Sequence, residues 1–141
     1  LSTRLREKEE KIIQILEELA EESAKGKPII VEGKKDAATL RSLGLTGAIV
    51  TVKTGGKSFV DVVSEIEALN APEVILFLDF DRRGREATNI FKQSLEHTGI
   101  KANLGFWRRL SALVGKEIQC VESLTAYLTT LHVRVASQEQ V

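Results

Sequence analysis

Val74-Ile75-Leu76-Phe77-Leu78-Asp79-Phe80-Asp81-Arg82-Arg83-Gly84 is the stretch that decides how the rest of the chain is read. An unbroken apolar run of strand length stops at an acidic residue, and a helix-like segment follows. Continuous rather than alternating apolar runs mark strands covered on both faces, as in parallel sheets. Pro28-Ile29-Ile30-Val31 repeats the pattern, stopping at Glu32 before Gly33-Lys34-Lys35-Asp36 opens another helix-like segment. In open sheets of this kind ligands bind beyond the carboxyl ends of the strands, where these acids would emerge. Carboxylates gathered there suit a hard divalent cation held through oxygen.

The flanking sequence continues the strand–helix alternation. Strands are expected at Pro28 to Glu32, Ala48 to Lys53, Val74 to Asp79 and Ala102 to Phe106, with a short last one at Glu117 to Val121. The helices between and after them run from Asp36 to Leu43, Ser58 to Leu69, Gly84 to His97, Arg108 to Val114 and Leu124 to Leu131. Gly44, Asn70 with Pro72, and Gly99 supply the stops. Connections of this length are right-handed crossovers between parallel strands. Ahead of them, Leu5, Ile12, Leu16 and Leu19 recur at helical spacing, so Leu1 to about Ala24 reads as an amphipathic helix. Glu7 and Lys11 stand at the favourable i, i+4 spacing on it. Packing on the sheet is the expected use of this helix, and docking of a protein partner is the alternative. The division expected is a helix at 1–26, one α/β domain at 27–134 and a flexible tail at 135–141.

At 141 residues the chain makes one domain, large enough for a core without disulfide or metal staples. A single cysteine, Cys120, excludes a disulfide framework and a Cys-rich zinc site. The charged opening carries no secretory signal, and no apolar run reaches membrane-spanning length. A cytoplasmic protein with no membrane partner is expected, and the lack of any methionine is read as a processed start. Twenty basic and twenty acidic residues cancel. Positive charge nonetheless concentrates between Lys27 and Gln119, the segment that carries the acidic motifs. That distribution is compatible with a phosphate-bearing substrate without being the footprint of a dedicated DNA binder.

Asp79 and Asp81 flank Phe80, and side chains two apart on an extended segment point the same way. An isolated Asp-x-Asp at a strand end reads best as a helix cap. Glu32 at the equivalent place on another strand shifts the reading toward a shared site, because clustered carboxylates repel unless a cation or a raised pKa relieves them. Together Glu32-Gly33-x-x-Asp36 and, one βα unit later, Asp79-x-Asp81-x-x-Gly84 resemble the signature of the Toprim domain. That domain is shared by topoisomerases, bacterial-type primases, overcoming-lysogenization-type nucleases and ribosomal-RNA maturation ribonucleases. The resemblance spans roughly Lys27 to Leu128 and is nearest to small stand-alone Toprim proteins. It implies a compact, Rossmann-like α/β fold, with a mainly parallel sheet and helices on both faces. It also implies that Glu32 acts as general acid/base or metal ligand, and that Asp79 and Asp81 bind magnesium, with manganese as a substitute. Asp36, by contrast, is expected to begin and orient its helix.

Thr54-Gly55-Gly56-Lys57-Ser58 invites a phosphate-loop reading, but Thr51 stands where that motif needs a further glycine. It is read instead as a loop at the same sheet edge, with Lys53 or Lys57 contacting phosphate; plain surface lysines are the equal alternative. Arg82, Arg83 and Arg85 around Gly84 are expected to pin the substrate backbone, or else to pair with the carboxylates. Trp107 and Tyr127 are expected in the core, and Glu122 is a candidate outer ligand. His97 and His132 are isolated. The function expected is magnesium-dependent phosphodiester chemistry on RNA or DNA, as nuclease or primase-like nucleotidyl transfer, in a setting such as RNA processing. A non-catalytic nucleic-acid-binding subunit and a degenerate phosphate-loop nucleotide binder are the alternatives.

Overall fold

The apolar runs become strands because each of their residues is buried, alternately on two faces. In the computed structural model, which describes residues 2–53 and 55–139, the sheet has four strands. They are β1 (Ile29–Val31), β2 (Ile49–Thr51), β3 (Glu73–Leu76) and β4 (Lys101–Asn103), in the order β2-β1-β3-β4. All three pairings are parallel, and Ile30 stands opposite Val50 on one side and Leu76 on the other. The helices are α1 (Ser2–Ala24), α2 (Lys34–Ser42), α3 (Phe59–Ala68), α4 (Arg82–His97), α5 (Gly105–Val114) and α6 (Leu124–Glu139). The fold is α/β and Rossmann-like, as the continuous apolar runs imply.

Ile29, Val31, Ile75 and Phe77 face a core built with α1, α2, α5 and α6. Ile30, Val74, Leu76 and Leu78 face the opposite core, with α3 and α4. Alternation is therefore present in direction but not in polarity, since neither face meets water. In α1, Ile12, Ile15, Leu16 and Leu19 form the buried stripe, so this helix is part of the main core. Ser23 near its end accepts a hydrogen bond from Gly47 N at 3.0 Å, where an added Cβ would lie 2.3 Å from Ser23 O. That contact sets α1 against the entry to β2.

Three expectations are corrected. Glu117 to Val121 forms no strand; the chain there is irregular and passes into a 3-10 turn at Val121–Ser123. Glu117 N and Ile118 N both donate back to Val114 O at 2.9 Å, and Val121 N goes to the Asp79 carboxylate, so these donors are not offered to a ladder. The fourth strand stops at Asn103, whose Oδ1 accepts from Gly105 N at 2.8 Å and opens α5, so Trp107 lies in a helix and not at a strand end. The expected tail is helical through Glu139, because Val135 extends the buried stripe of Leu124 and Leu131 by one more turn. Leu1, Thr54, Gln140 and Val141 lie outside the described residues.

Candidate functional site

β1 and β3 are the central, adjacent strands, and the chain leaves β1 toward opposite edges of the sheet through β2 and β3. A crevice opens at such a switch point beyond the carboxyl ends. Glu32 directly follows β1, and Asp79 follows the end of β3, where Phe77 N still donates to Ile30 O at 2.8 Å. The two acids thus leave the sheet side by side, and their carboxyls share a hydrogen bond. A cleft of about 270 Å³ holds Glu32, Asp36, Lys53, Asp79, Cys120 and Glu122 in its wall.

Each of these groups is fixed from a different element. Lys53, past the end of β2, donates its backbone N–H to Glu32 O at 2.9 Å and places Nζ 3.0 Å from Glu32 Oε1. Asp36 reaches back from the first turn of α2 to accept from Gly33 N at 3.0 Å, and its other oxygen accepts from Glu122 N at 2.9 Å. Asp79 Oδ1 accepts from Val121 N at 3.0 Å. Trp107 braces the same corner, its indole donating to Leu78 O at 2.9 Å. The segment at Val121 and Glu122 is the part of the site that sequence reasoning missed. Glu122 was the one signal there: its backbone N–H holds Asp36, while its side chain lines the cleft and its charge helps to raise Asp36.

Asp81 is held differently. It is the N-cap of α4, with Oδ1 accepting from Gly84 N at 2.8 Å, which is the capping use that an isolated Asp-x-Asp suggests. Gly84 has a spatial reason to be glycine: a Cβ would stand 2.0 Å from Asp79 O. The Asp-x-Asp-x-x-Gly spacing therefore joins one acid in the cleft, one cap and one close approach. Gly33 is extended (φ −143°), with no atom nearer than 3.9 Å to an added Cβ. Neither the backbone nor packing requires glycine there.

The basic residues divide as well. Arg83 is close enough to Lys53 for their charges to interact. Arg82 pairs with Glu86 at 3.1 Å on the surface of α4, and Arg85 lies 3.4 Å from Phe80 O. Lys57 braces its own loop, donating to Thr51 O at 3.1 Å and to Glu65 at 2.7 Å. Ser58 caps α3 and accepts from Asp61 N at 3.2 Å, so its hydroxyl serves a helix end rather than a phosphate loop.

Electrostatics single out the carboxyl pair. Burial first, then the hydrogen bond with Glu32, push Asp79 up to about 8, against the opposing pull of the Val121 N–H. Burial also opposes charge on Glu32, but the bond from Asp79 and the Lys53 ammonium outweigh it and leave its pKa lowered. Of the two carboxyls, Asp79 is therefore the one whose charged form is disfavoured, and Glu32 the one whose charged form is favoured. Burial raises Asp36, partly offset by the Gly33 and Glu122 N–H groups. Among the described residues no set of three or more His, Cys, Asp and Glu side chains is gathered to hold a metal. The donor chemistry still fits a hard cation: a buried and a half-buried carboxyl close enough to share a proton offer what a divalent ion takes when it replaces that proton.

A Toprim domain model matches residues 27–107. The chain is a member of the Toprim domain family. Its relatives include UPF0292 proteins of Methanocaldococcus jannaschii and Methanosarcina acetivorans. The first is 38% identical, covering 84% of this chain and 91% of that protein. The second is 36% identical, covering 89% and 85%. A solved structure of an Aquifex aeolicus protein superposes with a TM-score of 0.64 at 26% identity, covering 78% of this chain and 94% of that one. The matched Toprim region begins at Lys27 and takes in Glu32, Asp36, Asp79, Gly84 and Trp107, but not Glu122. Membership supports a metal-binding, nucleic-acid-related function in general terms, and Toprim domains generally bind magnesium through acidic residues. No helix among the described residues is long and apolar enough to cross a membrane.

Proposed function

We propose that this Toprim chain catalyses magnesium-dependent phosphodiester chemistry on a nucleic acid, with hydrolysis favoured over nucleotidyl transfer. The observation that carries the reading is the hydrogen-bonded Glu32–Asp79 pair at the switch point of a parallel sheet, with Lys53 beside it. Glu32 and Asp79 are the residues that would hold magnesium, joined by Asp81 through the carboxylate oxygen its cap leaves over. A bound magnesium ion supplies charge neutralisation at the phosphate.

The chain's own groups carry the remaining steps. Glu32 exchanges the proton of the attacking or leaving oxygen, at a place where one proton is already held between two carboxyls. Lys53 keeps Glu32 ionised and offers its exposed ammonium to a phosphate oxygen. Arg82, Arg83 and Arg85, at the start of α4, bind the neighbouring phosphates without reading bases. Val121 and Glu122 hold Asp79 and Asp36 in place through their N–H groups.

One observation favours a second reading, in which the cleft only docks phosphate within a processing complex. Asp81 is committed to its cap, and Lys53 already neutralises Glu32. A panel of structured and single-stranded RNA and DNA, with magnesium or manganese and with EDTA, separates the two. Catalysis predicts metal-dependent cleavage that falls by about 10²-fold or more in Glu32→Gln. Binding that persists with no turnover under any metal condition establishes the docking role instead.

A further inference from the structure

Arg4, Lys8 and Lys11 fall at i, i+4 and i+7 along α1, on one face of that helix. Across from them stand Arg134 of α6 and the end of α5, and between the three helices lies a groove of about 740 Å³. Four cations line this groove against two carboxylates, Glu7 and Glu117. Lys8 is occupied: its ammonium is paired with Glu117 and lies over the Tyr127 ring, 5.6 Å from the centroid. Arg4 and Lys11 make no ion pair or hydrogen bond with a described residue, and the Glu7–Lys11 pair expected from spacing is not formed. Among the described residues Arg134 makes no ion pair, and its charge acts on the already paired Glu117. Elsewhere on α1 the arrangement reverses. Glu18 is matched by Arg109 of α5, and Glu22 by Lys25 and Lys27, whereas the two α1 cations Arg4 and Lys11, without an ion pair among the described residues, both line the groove.

We propose that this groove is a second phosphate-binding site, one that seats the backbone of the nucleic-acid strand at a distance from the cleft. The inference rests on the nucleic-acid reading above and extends it to α1 and α6, elements that the matched Toprim region does not include. The physical ground is that cations without partners, held on two packed helices, gain more from a polyanion than from each other. Neutralising phosphates with such side chains releases counterions, which gives affinity without base selection. The groove is of the size that seats small ligands, and its walls are polar enough for phosphate and sugar.

The test is an anisotropy titration of labelled RNA and DNA 20-mers with the full chain, in EDTA, across a salt series. R4Q/K11Q/R134Q removes the three unpaired cations and leaves Lys8 on Tyr127. K25Q/K92Q/K101Q removes the same charge elsewhere on the surface. The groove variant is expected to bind about tenfold or more weakly. Its log–log salt slope should be shallower by about 0.7 to 0.9 for each phosphate that is no longer neutralised. The control should change less than twofold. Single substitutions at Arg4, Lys11 and Arg134 should each remove part of the slope, which keeps the result readable if the triple variant folds poorly. Equal losses in both triple variants, or unchanged binding in the groove variant, overturn the groove. Wild-type protein that binds neither strand overturns the nucleic-acid reading itself.

Discussion

Gly84 is glycine because of space and not because of backbone angle. The first turn of α4 lies against the main chain of Asp79, so the smallest side chain would overlap a carbonyl oxygen. Gly84→Ala must push α4 away from the acid that it flanks, at a cost of about 1–3 kcal/mol. Melting temperature should fall by several degrees, and any magnesium-induced rise should shrink with it as Asp79 moves. An Ala variant that melts like wild type would show that the helix start gives way easily. Gly33 is the contrast. Nothing in the protein fills the space before it, so Gly33→Ala should leave stability within about 0.5 kcal/mol, as surface substitutions do. Its effect, if any, belongs in substrate affinity, since the methyl group would project toward the cleft.

Asp36 ties one element to another. Through Gly33 N it closes the first turn of α2, and through Glu122 N it fastens the turn between α5 and α6 to that helix. Asp36→Ala leaves two N–H groups without their acceptor. Loss of the cap alone costs about 0.5–2 kcal/mol, and the second orphaned donor adds to it. The urea midpoint should move down with an unchanged slope, because the folded surface stays the same. The same variant should weaken the hold of Val121 on Asp79, the neighbouring strut of that turn. No shift in midpoint would mean that water replaces Asp36 at both donors. The surface pairs, such as Arg82 with Glu86 and Lys92 with Glu96, are exposed i, i+4 contacts and should contribute only a few tenths of a kcal/mol.

For the molecule as a whole, the carboxyl pair links stability to pH and to metal. An ordinary aspartate titrates near about 4, whereas Asp79 is raised to about 8. Between those values the folded state holds a proton that the unfolded chain has lost, so stability falls as pH rises through that window. Glu32, with its lowered pKa, acts in the opposite sense, and its contribution is lost only as pH falls below the usual carboxylate range. In EDTA the melting temperature should therefore decline from pH 5 to pH 8.5, and Asp79→Asn should flatten that decline. Magnesium replaces the proton, so the rise it produces by mass action should be larger at pH 8.5 than at pH 5.5. Asp79→Asn with Asp81→Asn should abolish the rise in a protein that still folds. An undiminished response in that double variant would place the ion elsewhere.

The architecture was legible because burial on two faces writes itself into adjacent residues. Ile29-Ile30-Val31 and Val74-Ile75-Leu76-Phe77-Leu78 can be nothing but covered strands, and parallel strands bring their ends, hence Glu32 and Asp79, to one edge. Glycine and proline stops placed most helices within a few residues. Hydrogen-bond partners far apart in the chain have no such signature. No spacing tells that Val121 N would donate to Asp79, that Asp81 would turn to its own helix, or that Glu117 and Ile118 would give their N–H groups to Val114 instead of a ladder. Likewise α1 reads from sequence as an acidic amphipathic helix. Only its packing against α5 and α6 matched Glu18 with Arg109 and left Arg4 and Lys11 facing Arg134 across a groove. Periodicity reports what a residue is hidden from; which charge meets which is settled when the helices are set side by side.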